Sequence, residues 1–195
     1  MSAFEFVLVS FAIMIGFAVS EVLAGWGEQI RARDRLRPHA LQIASSAFIL
    51  YFSLQYLWGL WLLRGVDWTF PFFLLVAAPA LALALASHIT RVDTSSDVSL
   101  REQYFRNSRP VYSLLASFPI VLIAISLVPD LRESVPSPID FVAITIVRLA
   151  VFASFVSLAW SRSERFHWVV LLTIWLISIA FMVRLLTYSL VGAAA

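Results

Sequence analysis

The chain contains no cysteine and no lysine among its 195 residues. The absence of cysteine excludes disulfides, iron–sulfur clusters, thiolate-bound zinc and cysteine nucleophiles. All 14 basic residues are arginines, and charged residues amount to only 13% of the chain, against roughly 25% in soluble domains. Hydrophobic residues amount to 61%, more than a water-soluble fold of this length could bury. The composition therefore indicates an integral membrane protein.

The sequence also lacks the local motifs of common enzymes. It has no Gly-rich phosphate loop, no HExxH and no GxSxG, and no pair of histidines placed to hold haem across a membrane. The net charge of +2 is small and scattered, which does not favour a nucleic-acid partner. We expect neither enzymatic activity nor a cofactor.

Six apolar segments are long enough to cross a bilayer, whose core of about 30 Å requires about 20 helical residues. No polar block between them could fold alone, so residues 1–195 are expected to form one domain. The first segment lacks the basic residues that begin a signal peptide, and we expect it to be retained. The predicted fold is all-α, a polytopic bundle of six transmembrane helices. The spans are Phe4–Trp26, Leu41–Leu63, Thr69–Ile89, Val111–Val128, Ile139–Trp160 and Trp168–Leu190.

Arginines are concentrated in the loops after the first, third and fifth spans. The opposite loops hold only Arg64 and Arg132. The positive-inside rule places the arginine-rich loops in the cytoplasm and both termini outside, and such a face attracts anionic lipids. The ten arginines are Arg31, Arg33, Arg35, Arg37, Arg91, Arg101, Arg106, Arg109, Arg162 and Arg165.

The longest connection, residues 90–110, has a helix start signal of its own. Ser99 precedes Glu102 by three residues, the spacing of a capping box. We expect a short helix that lies on the cytoplasmic membrane surface; an irregular loop is the alternative. Its apolar side would contain Leu100, Tyr104 and Phe105.

The loops pair the spans in a repeating way. Tight connections at 64–68 and 161–167 close hairpins between spans two and three and between spans five and six. Two halves of three helices with opposite orientations are compatible with a 3+3 inverted repeat, as in many transporters. The residues of the two halves are not alike, so the loop pattern is the only support.

Two spans carry stripes of small residues, which allow close approach of another helix in lipid. The interpretations are packing within the chain and a seam between copies of a homo-oligomer. The first stripe contains Ala12, Gly16, Ser20, Ala24 and Gly27, and the stripe on span five contains Ala143, Ala150, Ser154, Ser157 and Ser161.

Two prolines fall at the middle of spans. Pro79 and Pro119 each remove a backbone donor and free the carbonyl four residues earlier, at Leu75 and Leu115. Discontinuous helices near the midplane often build a substrate site in transporters. Ordinary helix kinks are the alternative.

Polar residues within spans are the main functional candidates, because a charge at the bilayer centre costs roughly 2.5–3.5 kcal/mol. Arg148 lies near the middle of span five, opposite the small residues of that span, so we expect this helix to be interior. Arg184 lies in the outer half of span six and Glu21 in the inner half of span one. Gln55 adds a neutral polar group in span two.

Two accounts explain these residues. In a structural account, Arg148 donates to the carbonyls freed by the prolines or reaches Glu21. Arg184 then pairs with Glu5. In a functional account, Arg148, Arg184 and Gln55 line a polar path whose positive charge favours anions.

Three histidines, His39, His88 and His167, fall at the cytoplasmic ends of different helices. A metal site or a pH-sensitive gate could form there. Histidines at membrane interfaces are common, so we do not predict a metal.

Several segments resemble a widespread group of bacterial six-helix inner-membrane proteins that have no assigned function. They are Leu100–Pro110, Gln55–Trp61, Trp68-Thr-Phe and the arginine-rich run after span one. The resemblance covers the first four spans and is weaker in the last two. It implies the six-helix architecture and a bacterial inner-membrane location, and it supplies no activity and no site residues.

The leading functional hypothesis is a small channel or transporter for an ion or small solute, working as a homo-oligomer. Polar groups within spans and the near absence of soluble parts favour it. The alternative is a non-transporting sensor, scaffold or accessory subunit whose arginine-rich face meets anionic lipid or a partner protein.

Overall fold

A computed structural model describes residues 3–34, 37–93, 99–128 and 138–193, with side chains outside the description at 3, 62, 138 and 181–193. Within these ranges the chain forms six α-helices and one 3₁₀ turn. The helices are α1 (Ala3–Arg31), α2 (Ala40–Gly59), α3 (Phe70–Thr90), α4 (Leu100–Ser126), α5 (Pro138–Trp160) and α6 (Glu164–Ala193), and the 3₁₀ turn is Leu60–Leu63. The predicted all-α architecture is confirmed.

Helices α1 to α5 are long and apolar enough to cross a membrane. Helix α6 spans 30 residues, of which the side chains are described as far as Ala180. Because each helix satisfies its own backbone hydrogen bonds, a bundle of this kind is compatible with lipid on its outer faces. The chain is a multi-pass membrane protein.

Side-chain caps fix the starts of two helices. Thr69 Oγ1 accepts from the backbone N–H of Phe72 at 3.4 Å, and Pro71 lies in the first turn of α3, where a missing N–H costs nothing. Ser99 Oγ accepts from the N–H of Glu102 at 3.3 Å, so the predicted cap of α4 is confirmed.

The predicted surface helix at 100–110 is wrong as a separate element. Helix α4 continues from Leu100 through Pro110 to Ser126. Its first turns bury Gln103, Tyr104 and Ser108 against the bundle. This packing extends the buried face of the span, so the segment follows the span instead of lying flat on the membrane.

Neighbouring helices pack unequally. Helix α3 packs extensively against α1 and α4, and α4 packs extensively against α5, while α6 makes smaller contacts with α2 and α5. Only 11% of the most apolar stretch of α5 is buried, so the prediction of an interior fifth helix is wrong. The main contact of α1 is with α3, whereas that of α4 is with α5. The inverted repeat therefore stays a prediction from the loop pattern.

Candidate functional site at the arginine-rich end

The ends of all six helices that adjoin the loops after α1, α3 and α5 form the arginine-rich end of the bundle. A chain of buried side chains crosses this end between α2, α4 and α6. The Tyr104 hydroxyl lies 2.8 Å from the Tyr112 hydroxyl and 2.7 Å from His167 Nδ1. Tyr112 donates to Ser45 Oγ at 3.2 Å, and His167 Nε2 lies 3.1 Å from the carbonyl oxygen of Ser161. We call these residues the histidine–tyrosine chain.

The histidine–tyrosine chain is sealed from its surroundings. His167 has 0% exposure, and Tyr104 and Tyr112 have 3% and 1%. The His167 ring packs against the rings of Phe105 and Tyr112 at centroid distances of 5.3 and 5.7 Å. Polar groups buried in this way need each other as hydrogen-bond partners.

The number of protons in the chain determines the direction of its bonds. The Ser161 carbonyl only accepts, so His167 Nε2 carries a proton. Tyr112 donates to Ser45, so its oxygen accepts from Tyr104, and Tyr104 in turn accepts from Nδ1. This arrangement requires the doubly protonated imidazolium.

A neutral imidazole satisfies the same four contacts: Nε2 still donates to the Ser161 carbonyl, and the other three bonds run in the opposite direction. Nδ1 then accepts from Tyr104, Tyr104 accepts from Tyr112, and Ser45 becomes a donor, because each hydroxyl can donate or accept. Burial disfavours the charged ring. Protonation of His167 therefore reverses the hydroxyl bonds from α6 through α4 to α2.

A second histidine and one ion pair border the chain. The His39 ring packs edge-on against Tyr104 at 5.6 Å, and its buried Nε2 has no hydrogen-bond partner within the described residues. Burial lowers the pKa of His39, Glu164 opposes that shift and Arg101 reinforces it. Arg101 Nε and Glu164 Oε2 form an ion pair at 3.1 Å, so the charges on α4 and α6 nearest the chain are balanced.

An ion-pair cluster joins α1 to α3 at the same end. Arg91 binds both carboxylate oxygens of Glu28 and lies 3.5 Å from Glu21 Oε2. His88 Nδ1 lies 3.5 Å from Glu21 Oε1. The cluster borders a shallow cleft that Trp26 and Ser46 also line. The cluster holds α1 against α3, and the carboxylates of Glu21 and Glu28 are both engaged in it.

The three predicted histidines therefore do not converge. His88 faces Glu21 on α1, whereas His39 and His167 flank Tyr104. Within the ranges that the structure describes, no three His, Asp or Glu side chains are arranged to hold a metal ion.

The predicted proline sites meet at one tyrosine that sequence reasoning did not single out. Tyr56 donates to the carbonyl oxygen of Val76, one turn before Pro79. The Tyr56 ring packs against Phe118, beside Pro119, at 5.4 Å. Both prolines are buried inside continuous helices, and Gln55 is half-buried on the neighbouring part of α2. The proline-containing turns of α3 and α4 pack around Tyr56.

The predicted acceptors of Arg148 are wrong. Its Nη1 donates to the carbonyl oxygen of Leu122 at 2.9 Å and to Ser126 Oγ at 3.0 Å. Both acceptors lie in the last turns of α4, because α4 and α5 run antiparallel and place Arg148 beside the end of its neighbour. Glu21 pairs with Arg91 at the arginine-rich end, whereas Arg148 lies beside the other end of α4.

Arg184 falls among the residues whose side chains are outside the description. Its predicted pairing with Glu5 and its place in a polar path therefore stay predictions.

The small stripe of α1 faces away from the bundle. Ala12, Gly16 and Ser20 are exposed, and a Cβ built on Gly16 meets nothing within 4 Å. Helix α1 packs through its other face, which includes Phe11 and Ile15. The interpretation as packing within the chain is therefore wrong for Ala12, Gly16 and Ser20, whereas Ala24 and Gly27 are half-buried. On α5, Ala143 and Ala150 are likewise exposed.

Comparison of the chain with protein-family profiles, curated proteins and solved structures finds no match.

Proposed function

We propose that this protein is a membrane-embedded sensor module that responds to protons, and that it belongs to the non-transporting class of the two hypotheses above. The histidine–tyrosine chain carries the proposal. It links three helices through hydroxyls whose bond directions depend on one histidine, and histidine is the side chain that titrates between pH 5 and 8. Protonation there adds a buried charge and reorders contacts between α2, α4 and α6.

The location follows from the arginine distribution. The positive-inside rule supports a cytoplasmic arginine-rich end, with both termini on the outside of a bacterial inner membrane. The histidine–tyrosine chain then lies at the cytoplasmic ends of the helices, where it reads cytoplasmic pH. Anionic lipids of the inner leaflet meet the same end.

The other polar residues support the same proposal. Arg148 binds a carbonyl and a hydroxyl of α4, and Tyr56 binds the backbone beside the Pro79 kink. These groups join neighbouring helices, as expected of a sensor that signals through a change in the packing of its helices.

The test measures helix displacement as a function of pH. Because the chain has no cysteine, spin labels can be attached at Ala40→Cys on α2 and Val169→Cys on α6, both exposed positions. We expect the distance distribution to change between pH 8 and pH 5 in lipid nanodiscs.

Two variants with matched chemistry make the test specific. His167→Gln should abolish the pH-dependent change. His88→Gln, at the same end but bound to Glu21 on α1, should retain it. An unchanged pH response in His167→Gln, or a response lost equally in His88→Gln, would rule out the proposed sensor.

A channel or transporter formed between copies is the second candidate. The outward small stripe of α1 favours it, because exposed glycine and alanine let helices of two copies approach closely. Flux of a panel of ions and small solutes into liposomes tests it directly. Flux that depends on an intact Gly16 stripe would favour this candidate over the sensor.

A further inference from the structure

Arg109, in the first half of α4, and Trp160, the last residue of α5, form a preorganised pair. The Arg109 Cζ lies 4.5 Å from the centroid of the Trp160 ring, and Trp160 is 70% exposed. A guanidinium stacked on an aromatic face keeps its in-plane N–H donors available for another group. The pair therefore presents donors outward at the surface of the bundle.

Two further arginines adjoin this pair. Arg106 lies one turn before Arg109 on the same side of α4, and Arg162 follows Trp160 by two residues; both are exposed. Within the described ranges, none of these three arginines forms an ion pair. Glu164, the acid that follows Arg162, binds Arg101 on another part of the surface. Glu102 lies one turn before Arg106 on α4, so three arginines and one acid leave the patch with an excess of positive charge.

Pro110 adds an acceptor to the patch. It lies inside α4 and has no N–H, so the carbonyl of Arg106 receives no helix bond from position 110. A hydroxyl group on a bound molecule could donate to this oxygen.

We propose that the surface patch formed by Arg106 and Arg109 on α4, Trp160 at the end of α5 and Arg162 binds the headgroup of an anionic phospholipid. Exposed tryptophan of a membrane protein favours the headgroup layer, and arginine binds phosphate oxygens in a bidentate manner. A glycerol headgroup would supply hydroxyl donors for the Arg106 carbonyl. This site depends on the membrane location of the protein and is independent of proton sensing.

The chain contains its own control pair. Arg64 Cζ lies 5.7 Å from the Trp61 ring at the opposite end of the bundle, and Trp61 is 56% exposed. Asp67 follows Arg64 by three residues. The Arg109–Trp160 pair instead has further arginines beside it. Both are cation–π pairs, at 5.7 and 4.5 Å, but only Arg109 lies among further arginines.

The experiment compares lipid binding by purified full-length wild type, Arg109→Gln and Arg64→Gln. Native mass spectrometry counts retained phosphatidylglycerol and phosphatidylcholine, and brominated forms of both lipids report contact with Trp160 by fluorescence quenching, with Trp160→Phe as reference. We expect wild type to prefer phosphatidylglycerol. Arg109→Gln should weaken that preference about fivefold, the effect of one arginine near an anionic surface, while Arg64→Gln should leave it unchanged.

Soluble glycerol phosphate distinguishes a lipid site from a site for free phosphate esters. If millimolar glycerol phosphate displaces phosphatidylglycerol, or protects the protein as well as the lipid does, the site is not a lipid site. Equal losses in Arg109→Gln and Arg64→Gln would overturn the proposal. So would quenching by brominated phosphatidylglycerol that Trp160→Phe does not reduce. None of these measurements depends on pH, so their failure is separable from failure of the sensor.

Discussion

The Tyr104 hydroxyl lies 2.7 Å from Nδ1 of His167 and thereby connects the beginning of α4 to the beginning of α6. The same oxygen lies 2.8 Å from the Tyr112 hydroxyl. Tyr104 has one hydroxyl proton and two possible acceptors, Tyr112 and His167 Nδ1. The protonation state of His167 determines which of them accepts it.

The first prediction concerns removal of the Tyr104 hydroxyl. Tyr104→Phe leaves the Tyr112 hydroxyl and a ring nitrogen of His167 buried with fewer partners, which costs about 1–3 kcal/mol per stranded group. The free energy of unfolding, measured by denaturant titration in mixed micelles, should fall accordingly. Tyr51→Phe is the control, because Tyr51 is only half-buried and its hydroxyl donates over a longer distance, 3.3 Å, to the Ser178 carbonyl. A loss no larger than that of the control would contradict the role of the chain.

The second prediction concerns His39 and pH. Burial lowers its pKa in the folded state, so the unfolded state binds a proton first, as pH falls through about 6.5, the ordinary histidine value. Stability is therefore full above that pH and decreases as pH falls towards the lowered pKa, below which the loss is complete.

His39→Gln should make the stability profile flatter between pH 8 and pH 5. Unfolding free energies of both proteins across that range provide the measurement. An identical slope in the two proteins would show that His39 does not contribute to the acid sensitivity.

The third prediction concerns Arg148. In separated helices its guanidinium faces lipid at a cost of roughly 2.5–3.5 kcal/mol, and folding relieves part of that cost through Leu122 and Ser126 on α4. Arg148→Leu should therefore lower the free energy of unfolding by about 1–3 kcal/mol. A double-mutant cycle with Ser126→Ala isolates the coupling, which should be about 0.6 kcal/mol, an average value in membranes.

Transport assays on the same preparations separate the two accounts of Arg148. If α4 packing is its role, any flux of Arg148→Glu keeps the selectivity of the wild type. A reversed charge preference would instead place Arg148 in a conducting path.

The fourth prediction uses two glycines of α1 as a matched pair. Gly16 is exposed and a Cβ there meets nothing, so Gly16→Leu should fold as a monomer with wild-type stability. If α1 forms the seam of an oligomer, the particle mass from light scattering should decrease. Gly25 is buried, and a Cβ there meets Arg91 Cα at 3.8 Å, so Gly25→Leu should disturb the α1–α3 contact and lower stability. A Gly16→Leu particle of unchanged mass would exclude that seam.

Much of the fold could be predicted because membrane spans depend on local properties. Length and apolarity placed α3 and α5 within one residue of their observed bounds, and placed the beginning of α2 equally well, whereas α2 ends four residues earlier than predicted, where the 3₁₀ turn begins. The beginning of α4 could not be placed in the same way. Whether residues 100–110 lie on the membrane or continue the span depends on the bundle against which Tyr104 and Ser108 pack, and that surface comes from other helices.

The candidate site was less accessible to sequence reasoning. Tyr104, Ser108 and Tyr112 recur every four residues and mark one face of a helix, a signal that becomes readable once α4 is continuous. The sequence could not indicate that His167 meets this face. The same holds for Arg148, whose position in α5 was predictable while its acceptors depended on the antiparallel register with α4.

The continuous helix α4 has a mechanical consequence. Its 27 residues, at about 1.5 Å per residue, form a rod of roughly 40 Å, longer than the hydrocarbon core of about 30 Å. Part of the helix therefore projects from the hydrocarbon, and this part carries Tyr104, which is buried against the bundle. A displacement of the projecting turns would move the membrane-embedded turns of the same helix, with Pro110 and Pro119 as the positions where the backbone bonds are fewest.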